Sequence, residues 1–450
     1  MTEDKLTSHS HWGIKLLYNV FIMVWFAVGT YPQLYSGDFA PHLHYARYFA
    51  ETGHSPIQHI AFHRLVIIVK ALLPTDIISE ISYRLSRIVE DHGWEIAGLA
   101  TAVLIYLGTA WILYFILKDS LKLDRTCFSE IKIWTLVVVC LLVMPINFFF
   151  LQERLTLGYY SANVLHNPTF ILSRLFSLLL FYLCLVWTEK EISFKTGMLL
   201  SILSLLSTAS KPNFMMALIP SLCIFFLIRN KSIRRENYKL LFFVGIPAFI
   251  VLLIQFLMRS GSAETSKFVF APFMAVLTRV PNIPMVFLLL FLSLAFPITV
   301  FILNWKSIKQ KAATQLLLIT LAINYLLFIL FAEVPKAGHL NFIWGMMTAV
   351  FLSFAYAIVV WVKQINIEEK PLRSIKSLLP LTFLLLHIAS GFLYYFSVVL
   401  YPGPVWWRII FGSGTITVKR ITILAQNSVA GTEWDILRIS HNIAKVAVSF

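Results

Sequence analysis

The chain has 450 residues, of which 58% are hydrophobic and only 13% are charged. An ordinary soluble domain carries about 25% charged residues, and a water-soluble fold of this length could not bury so much apolar surface. The formal net charge of +15 does not indicate nucleic-acid binding, because the basic residues are scattered over short loops between apolar runs. The four cysteines lack the spacing of a zinc site or of a disulfide framework.

Apolar runs of membrane-crossing length recur along most of the chain. About 20 apolar residues cross the hydrocarbon layer as a helix, and a helix satisfies its own backbone hydrogen bonds, as lipid requires. We therefore expect an all-α, polytopic transmembrane bundle of about eleven spans within 1–400, followed by a short tail at 401–450. The predicted spans are 13–32, 94–117, 133–151, 168–187, 197–210, 213–229, 240–258, 284–304, 314–333, 341–363 and 378–400. The first of them reads as a retained signal anchor, because no small-residue cleavage site follows it.

Lys and Arg residues are distributed unequally between alternate loops. One set of loops holds 18 of them, whereas the opposite set holds 6. The positive-inside rule places the richer set and the N-terminus in the cytoplasm, and it places 33–92 and the C-terminal tail outside. The richer loops are 118–132, 188–196, 229–239, 305–313 and 363–377.

The outer segment 33–92 is too apolar for a free loop and too polar to span the membrane. Within 57–73, apolar residues surround four basic or histidine side chains, and 76–90 has a similar character. This pattern predicts two amphipathic helices that lie along the outer surface or are tucked into the bundle.

The pair of spans 197–210 and 213–229 is interrupted by a short polar run. Lys211, Pro212 and Asn213 break what would otherwise be one long hydrophobic stretch. We expect a proline-broken hairpin with its polar tip near the outer face, because irregular backbone at depth is tolerated only against protein or a water-filled cavity.

A Gly-Asp-Phe run begins a few residues after the first span. Gly37 frees the backbone, Asp38 can cap the helix that follows, and Pro41 suits the first turn of that helix. His42 lies one helical turn after Asp38, where it could orient the carboxylate or share a hydrogen bond with it. Asp38 is therefore either a plain helix cap or a catalytic base at the membrane boundary.

Five histidines fall close together in the same outer segment, at positions 42, 44, 54, 59 and 63. His59 and His63 have the i, i+4 spacing of helical metal ligands, but no HExxH motif accompanies them. Hydrogen bonding to backbone or to lipid phosphate is the commoner role of such histidines. We therefore predict no metal and no other cofactor, although a divalent metal stays open as an alternative.

Further polar groups are predicted to reach the outer side from distant parts of the chain. Such groups at membrane ends are often snorkelling anchors. Arg174 is different, because it lies about two turns inside its span, where an ionisable group usually faces the bundle interior and marks a site. The candidate binding residues are His42, His166, Arg174, Lys211, Lys336, His339 and Asn341, and Glu153, Arg154, Asn167 and Glu333 are predicted to lie nearby.

The pattern resembles the polytopic GT-C glycosyltransferases of bacterial envelope-polysaccharide type, which use lipid-phosphate-linked sugars as donors. The resemblance rests on Gly37-Asp38-Phe39 in a long first outer loop and on the hairpin break at Lys211-Pro212-Asn213. It also rests on the outer runs 166–169 and 338–345, and it covers about 1–400. The chain departs from the pattern in lacking a large soluble C-terminal domain, since only about 50 residues follow the last predicted span.

The resemblance implies a transferase in a bacterial inner membrane that moves a sugar from a polyprenyl phosphate to an envelope glycan or glycolipid at the outer face. Asp38 would take the proton from the acceptor hydroxyl. A subset of Arg174, Lys211, Lys336 and His339 would stabilise the leaving phosphate. Relatives carry a second carboxylate in the first loop, for which Glu51 and Glu153 are the candidates here.

Two other functions remain open from the sequence. A transporter or flippase for a lipid-linked glycan would use the same buried cations to hold a phosphate in passage. A polymerase or ligase would instead transfer whole oligosaccharides from a lipid diphosphate. The sequence shows no internal repeat, which disfavours a transporter of duplicated halves, and 259–283 is modest for the Arg-rich outer loop of a ligase.

Overall fold

A computed structural model describes most of residues 3–400. The described ranges are 3–35, 37–55, 57–73, 92–124, 126–148, 159–188, 190–230, 235–260, 267–367 and 374–400. Several predicted features lie outside these residues, namely the helix at 76–90, Glu153, Arg154 and the tail at 401–450.

Fourteen α-helices make up nearly all of the described chain, with one antiparallel pair of short strands. The helices are α1 (Glu3–Thr30), α2 (Phe39–Thr52), α3 (Ala61–Ala71), α4 (Gly93–Leu121), α5 (Cys127–Leu142), α6 (Pro168–Trp187), α7 (Phe194–Ser210), α8 (Asn213–Asn230), α9 (Arg235–Ser260), α10 (Met274–Leu277), α11 (Ile283–Ile308), α12 (Ala312–Leu330), α13 (Ile343–Ile367) and α14 (Ile375–Leu400). The strands are β1 (Lys267–Phe270) and β2 (Phe331–Val334), with Lys267 opposite Val334 and Phe270 opposite Phe331. Short 3₁₀ turns occupy Tyr31–Tyr35 and Ala337–His339.

The predicted all-α, polytopic character is confirmed. A described helix overlaps each of the eleven predicted spans, and eight described helices are long and apolar enough to cross a membrane. These eight are α1, α4, α6, α9, α11, α12, α13 and α14. The helices α7 and α8 are apolar but shorter, and α5 has 16 residues, so the number of crossings beyond eight stays a prediction.

The helix α13 forms the centre of the bundle. Of its most apolar window, 94% is buried inside the protein, which is the largest share among the eight candidate spans in the described residues. It packs against α6, α8, α11, α12 and α14. Gly345 permits this packing on the α8 side, because a Cβ atom there would come within 2.9 Å of the Asn213 carbonyl oxygen.

The main departure from the predicted spans lies at 133–151. The helix α5 begins earlier, after the cap Thr126, and ends at Leu142. Asn163 explains the early end, because its Nδ2 donates to the carbonyl oxygens of Cys140 and Val143, at 2.9 Å each. The non-helical backbone that follows is enclosed by protein, as lipid demands of irregular backbone: Met144 N–H donates to the carbonyl oxygen of His387, in α14.

The segment 33–92, which is predicted to lie outside, contributes two packed helices. The predicted amphipathic helix at 57–73 appears as α3, which packs against α2 and α4. Phe62 and Val66 of α3 are fully buried, so this helix is tucked into the protein instead of lying free on its surface. The start of α2 is thereby held against the end of the bundle where α6 begins.

Candidate functional site

Asp38 occupies the N-cap position of α2 but does not cap it. Its side chain makes no capping hydrogen bond to the helix. Instead, Oδ2 of Asp38 accepts a hydrogen bond of 2.7 Å from Nδ2 of Asn167. The carboxylate is therefore directed towards the start of α6, 129 residues further along the chain.

Asn167 is the cap of α6, and this role fixes the orientation of its amide. Its Oδ1 accepts from the backbone N–H of Phe170, at 2.9 Å, and from the Thr169 hydroxyl, at 3.0 Å. Pro168 follows at the first helical position, where its missing N–H costs nothing. Because Oδ1 serves the helix, Nδ2 remains for the Asp38 carboxylate.

Lys211 approaches the same amide from the other side. Its Nζ donates to Oδ1 of Asn167 at 3.4 Å and to the Thr169 hydroxyl at 3.2 Å. The ammonium group also lies 4.4 Å from the centre of the Trp344 ring, a cation–π contact. Asp38 and Lys211 thus stand on opposite sides of one amide group.

The predicted break between the two short spans is present and places Lys211. Helix α7 ends at Ser210, and Lys211 is its cap residue, with an extended backbone. Helix α8 then starts at Asn213. Burial lowers the pKa of Lys211 to about 8, while the negative charge of Asp38 acts in the opposite direction.

His42 pairs with a histidine and not with Asp38. Its Nδ1 lies 2.9 Å from Nε2 of His63, so one ring donates and the other accepts. Burial, followed by the neighbouring charges of His63 and Lys211, lowers the pKa of His42 to about 2. Burial also lowers the pKa of His63, to about 4. Both rings are therefore neutral at pH 7. His42 thus bonds to His63 and not, as the sequence suggested, to Asp38.

His166 lies beside the Asp38 turn. Gly37 has a φ angle of +61°, and a Cβ atom there would lie 3.4 Å from Cβ of His166. Burial lowers the pKa of His166, whereas the charge of Asp38 acts to raise it and the charge of Lys211 acts to lower it. The ring of His166 also meets that of Trp344 edge to face, with centroids 6.0 Å apart.

The segment that joins β2 to α13 covers the break at Lys211. Asn213 Nδ2 donates to the backbone carbonyl oxygen of Asn341, at 2.9 Å, and the Asn341 side chain donates to the Glu333 carboxylate. Lys336 and His339 belong to the same connection, with His339 exposed. Trp344, in the first turn of α13, contacts Lys211 directly.

Arg174 forms a separate cluster within α6. Its Nη1 donates to the carbonyl oxygen of Ala162, at 2.9 Å, and to Oδ1 of Asn163, at 2.6 Å. The guanidinium group lies 4.6 Å from the centre of the Phe351 ring. Fully buried among these groups, Arg174 anchors the segment that leads into Asn167.

The structure therefore unites some of the predicted residues and separates others. Asp38, Lys211 and His166 lie together, whereas His42 belongs to the adjoining histidine pair and Arg174 to the cluster beneath. Glu51, one candidate for a second carboxylate, lies on the exposed face of α2, in an ion pair with Arg47. Sequence reasoning gave no role to Asn167 or Trp344, although both belong to runs that it had identified.

The arrangement combines a base, a cation and an aromatic wall at one end of the bundle. The Asp38 carboxylate can accept a proton. The direct hydrogen-bonding partners of Lys211 among the described residues are neutral oxygens, so its charge is available to an anionic ligand. A buried cation without a directly bonded carboxylate is costly unless an anion binds to it.

No protein-family model matches the chain, and no curated protein matches it in sequence.

Proposed function

We propose that this protein is an integral membrane glycosyltransferase that moves a sugar from a polyprenyl-phosphate donor to an envelope glycan or glycolipid at the outer face. The observation that carries the proposal is the pairing of Asp38 and Lys211 across Asn167. It provides an acid–base group and a phosphate-binding cation within one small site.

The proposed reaction uses these two groups in one displacement. The acceptor hydroxyl oxygen attacks the anomeric carbon of the sugar, and its proton passes to the Asp38 carboxylate. The bond between that carbon and the phosphate oxygen breaks, and the electron pair leaves with the polyprenyl phosphate. Lys211 stabilises the added negative charge on the leaving phosphate. A single displacement inverts the configuration of the sugar carbon.

The remaining residues shape the site. Trp344 and Phe170, whose ring centres are 5.3 Å apart, supply an apolar and aromatic surface beside the ammonium group. A lipid-linked donor needs such a surface, because its tail stays in the membrane while its phosphate reaches the interface. Lys336, His339 and Asn341 lie on the connection above the break, where we propose that they contact the sugar or the acceptor.

The reaction can be tested with purified protein in lipid nanodiscs. Polyprenyl-phosphate-linked sugars carrying a radiolabel are mixed with a glycan and glycolipid fraction of a bacterial envelope. We expect label to enter the acceptor while an equal amount of polyprenyl monophosphate appears. Preference for an oligosaccharide on polyprenyl diphosphate would identify a polymerase or ligase instead. Movement of intact donor across a proteoliposome membrane, without chemical change, would identify a transporter.

A further inference from the structure

A large cavity lies at the end of the bundle opposite to Asp38. Its volume is about 1160 Å³, and it is surrounded by the last turns of α4, α6, α11 and α13 and by the first turns of α12 and α14. Pockets for drug-sized ligands usually measure about 300–1,000 Å³. The cavity has room for a larger ligand, and Asp38, Asn167 and Lys211 are not among its lining residues.

The deep wall of this cavity is apolar. Leu178 and Phe181 of α6 and Leu352 of α13 line it and are buried. Ile302 and Trp305 of α11 also line it, yet 69% and 45% of their surfaces are exposed. The exposure of these two side chains shows that the cavity is open along α11. An apolar chain can therefore enter from the surrounding lipid.

Four lysines form the rim of the cavity: Lys306, Lys311, Lys363 and Lys376. All four are exposed. The positive charges of Lys311 and Lys122 repel that of Lys363, whereas the negative charge of Asp119 attracts it. Asp119 also accepts a hydrogen bond of 2.7 Å from the Tyr182 hydroxyl, another lining residue. The rim thus has a net positive charge.

We infer that this cavity binds one anionic diacyl phospholipid. Its acyl chains lie along the apolar wall between α6, α11 and α13, and its phosphate lies among the rim lysines. A free phosphate would leave the apolar wall unused, and a neutral lipid would leave the net positive charge of the rim without a counterion. Basic pockets between membrane helices on the cytoplasmic side are typical sites for anionic lipid head groups. The inference does not depend on the proposed transferase reaction.

Native mass spectrometry of the detergent-solubilised full chain tests this inference. The protein is equilibrated with equal amounts of phosphatidylglycerol and phosphatidylcholine, and retained lipid is counted. We expect one phosphatidylglycerol per chain. Lys311→Gln combined with Lys363→Gln should reduce its retention about tenfold, since each lysine near a phosphate adds to the attraction. The matched control, Lys190→Gln with Lys195→Gln, removes two exposed lysines that do not line the cavity and should retain the lipid.

A second variant separates the apolar wall from the charges. Ala313 lines the cavity, so Ala313→Phe narrows it while keeping all four lysines. This variant should also lose the phospholipid. Equal retention of both lipids, or equal losses in the lysine variant and its control, would overturn the inference. Displacement of phosphatidylglycerol by an equimolar polyprenyl phosphate would assign the cavity to a different lipid and overturn it as well.

Discussion

Asn167 connects the two charged groups of the candidate site through one side chain. Its oxygen serves the start of α6 and Lys211, and its NH₂ group serves Asp38. A shift of either charged residue would break a hydrogen bond to the side chain that caps α6. In the proposed reaction, this arrangement would hold the base and the cation before a substrate arrives, and pre-positioned charges are the main source of electrostatic catalysis.

The charged residues of the site could be predicted from the sequence, whereas their partners Asn167 and Trp344 could not. Asp38 and Lys211 stand out because ionisable residues are rare beside apolar spans. Asn167 gives a helix-cap signal with Pro168, but its contact with Asp38 crosses 129 residues and has no local signature. The same holds for Trp344, which meets Lys211 only because α13 packs beside α8.

Replacement of Lys211 tests its role towards the donor. Lys211→Met removes the charge and keeps much of the side-chain length. A hydrogen bond to a charged group contributes about 1.5–3 kcal/mol, so kcat/KM for the donor should fall roughly 10–100-fold. Steady-state kinetics with a polyprenyl-phosphate sugar measure this change. An unaltered donor dependence in a folded variant would reduce Lys211 to a structural lysine.

The same residue predicts a dependence on pH. A lysine with a pKa of about 8 is protonated below that pH and loses its charge above it. In the wild-type protein, kcat/KM for the donor should therefore decline as the pH rises through about 8, because kcat/KM reports ionisations of the free enzyme. The decline should be missing in Lys211→Met, because methionine does not titrate, and this variant therefore serves as the control.

Among the helix ends, the break between α7 and α8 could be predicted from the sequence, whereas the end of α5 could not. Pro212 and the polar residues around it interrupt an apolar run in the sequence itself. Helix α5, in contrast, stops within an apolar run, because Asn163 binds its last carbonyl groups from 20 or more residues away. A long-range side chain decides that boundary, so hydrophobicity alone placed it too late.

Gly345 tests whether the close packing of α13 on α8 matters. In Gly345→Ala, the added methyl group would meet the Asn213 carbonyl at 2.9 Å and also the side chain of Asn324. Backbone must then shift, and overpacking of this kind costs typically about 1–3 kcal/mol. We expect a lower Tm and reduced transfer activity, because Asn213 and Trp344 move with the two helices. Thermal unfolding in detergent and the transfer assay measure the two effects.

Gly245 provides the matched control. It is also a helical glycine, but a Cβ atom at this position of α9 would meet nothing within 4 Å. Gly245→Ala should therefore leave both Tm and activity close to those of the wild-type protein. Equal behaviour of the two alanine variants would show that the approach of α13 to α8 has no energetic importance.

The whole molecule has two ends with different chemistry. At one end, α2, α6, α8 and α13 bring together Asp38, Asn167, Lys211 and Trp344. At the other end, lysines surround an apolar cavity. The excess of Lys and Arg in the loops of this second end is the sequence feature that predicts it to be cytoplasmic. Apolar run length predicted most of the long helices, whereas the end of α5, the mutual packing of the helices and hence both sites required three-dimensional information.

The rate of sugar transfer by Asp38→Asn is the most direct test of the proposed role of Asp38 as a base. The asparagine Oδ1 can still accept the hydrogen bond from Asn167, and α2 loses no capping bond, since Asp38 makes none. The fold and donor binding should therefore remain. A positioned base contributes typically about 10²–10⁴-fold to the rate.

The measurement compares wild type, Asp38→Asn and the control Glu51→Gln in nanodiscs, with turnover and donor binding followed separately. Glu51 shares α2 but lies in an exposed ion pair with Arg47, a kind that contributes little. We expect Asp38→Asn to bind donor like the wild-type protein and to transfer sugar about 10²–10⁴-fold more slowly, while Glu51→Gln keeps full turnover. Full turnover by Asp38→Asn would show that Asp38 is not the base.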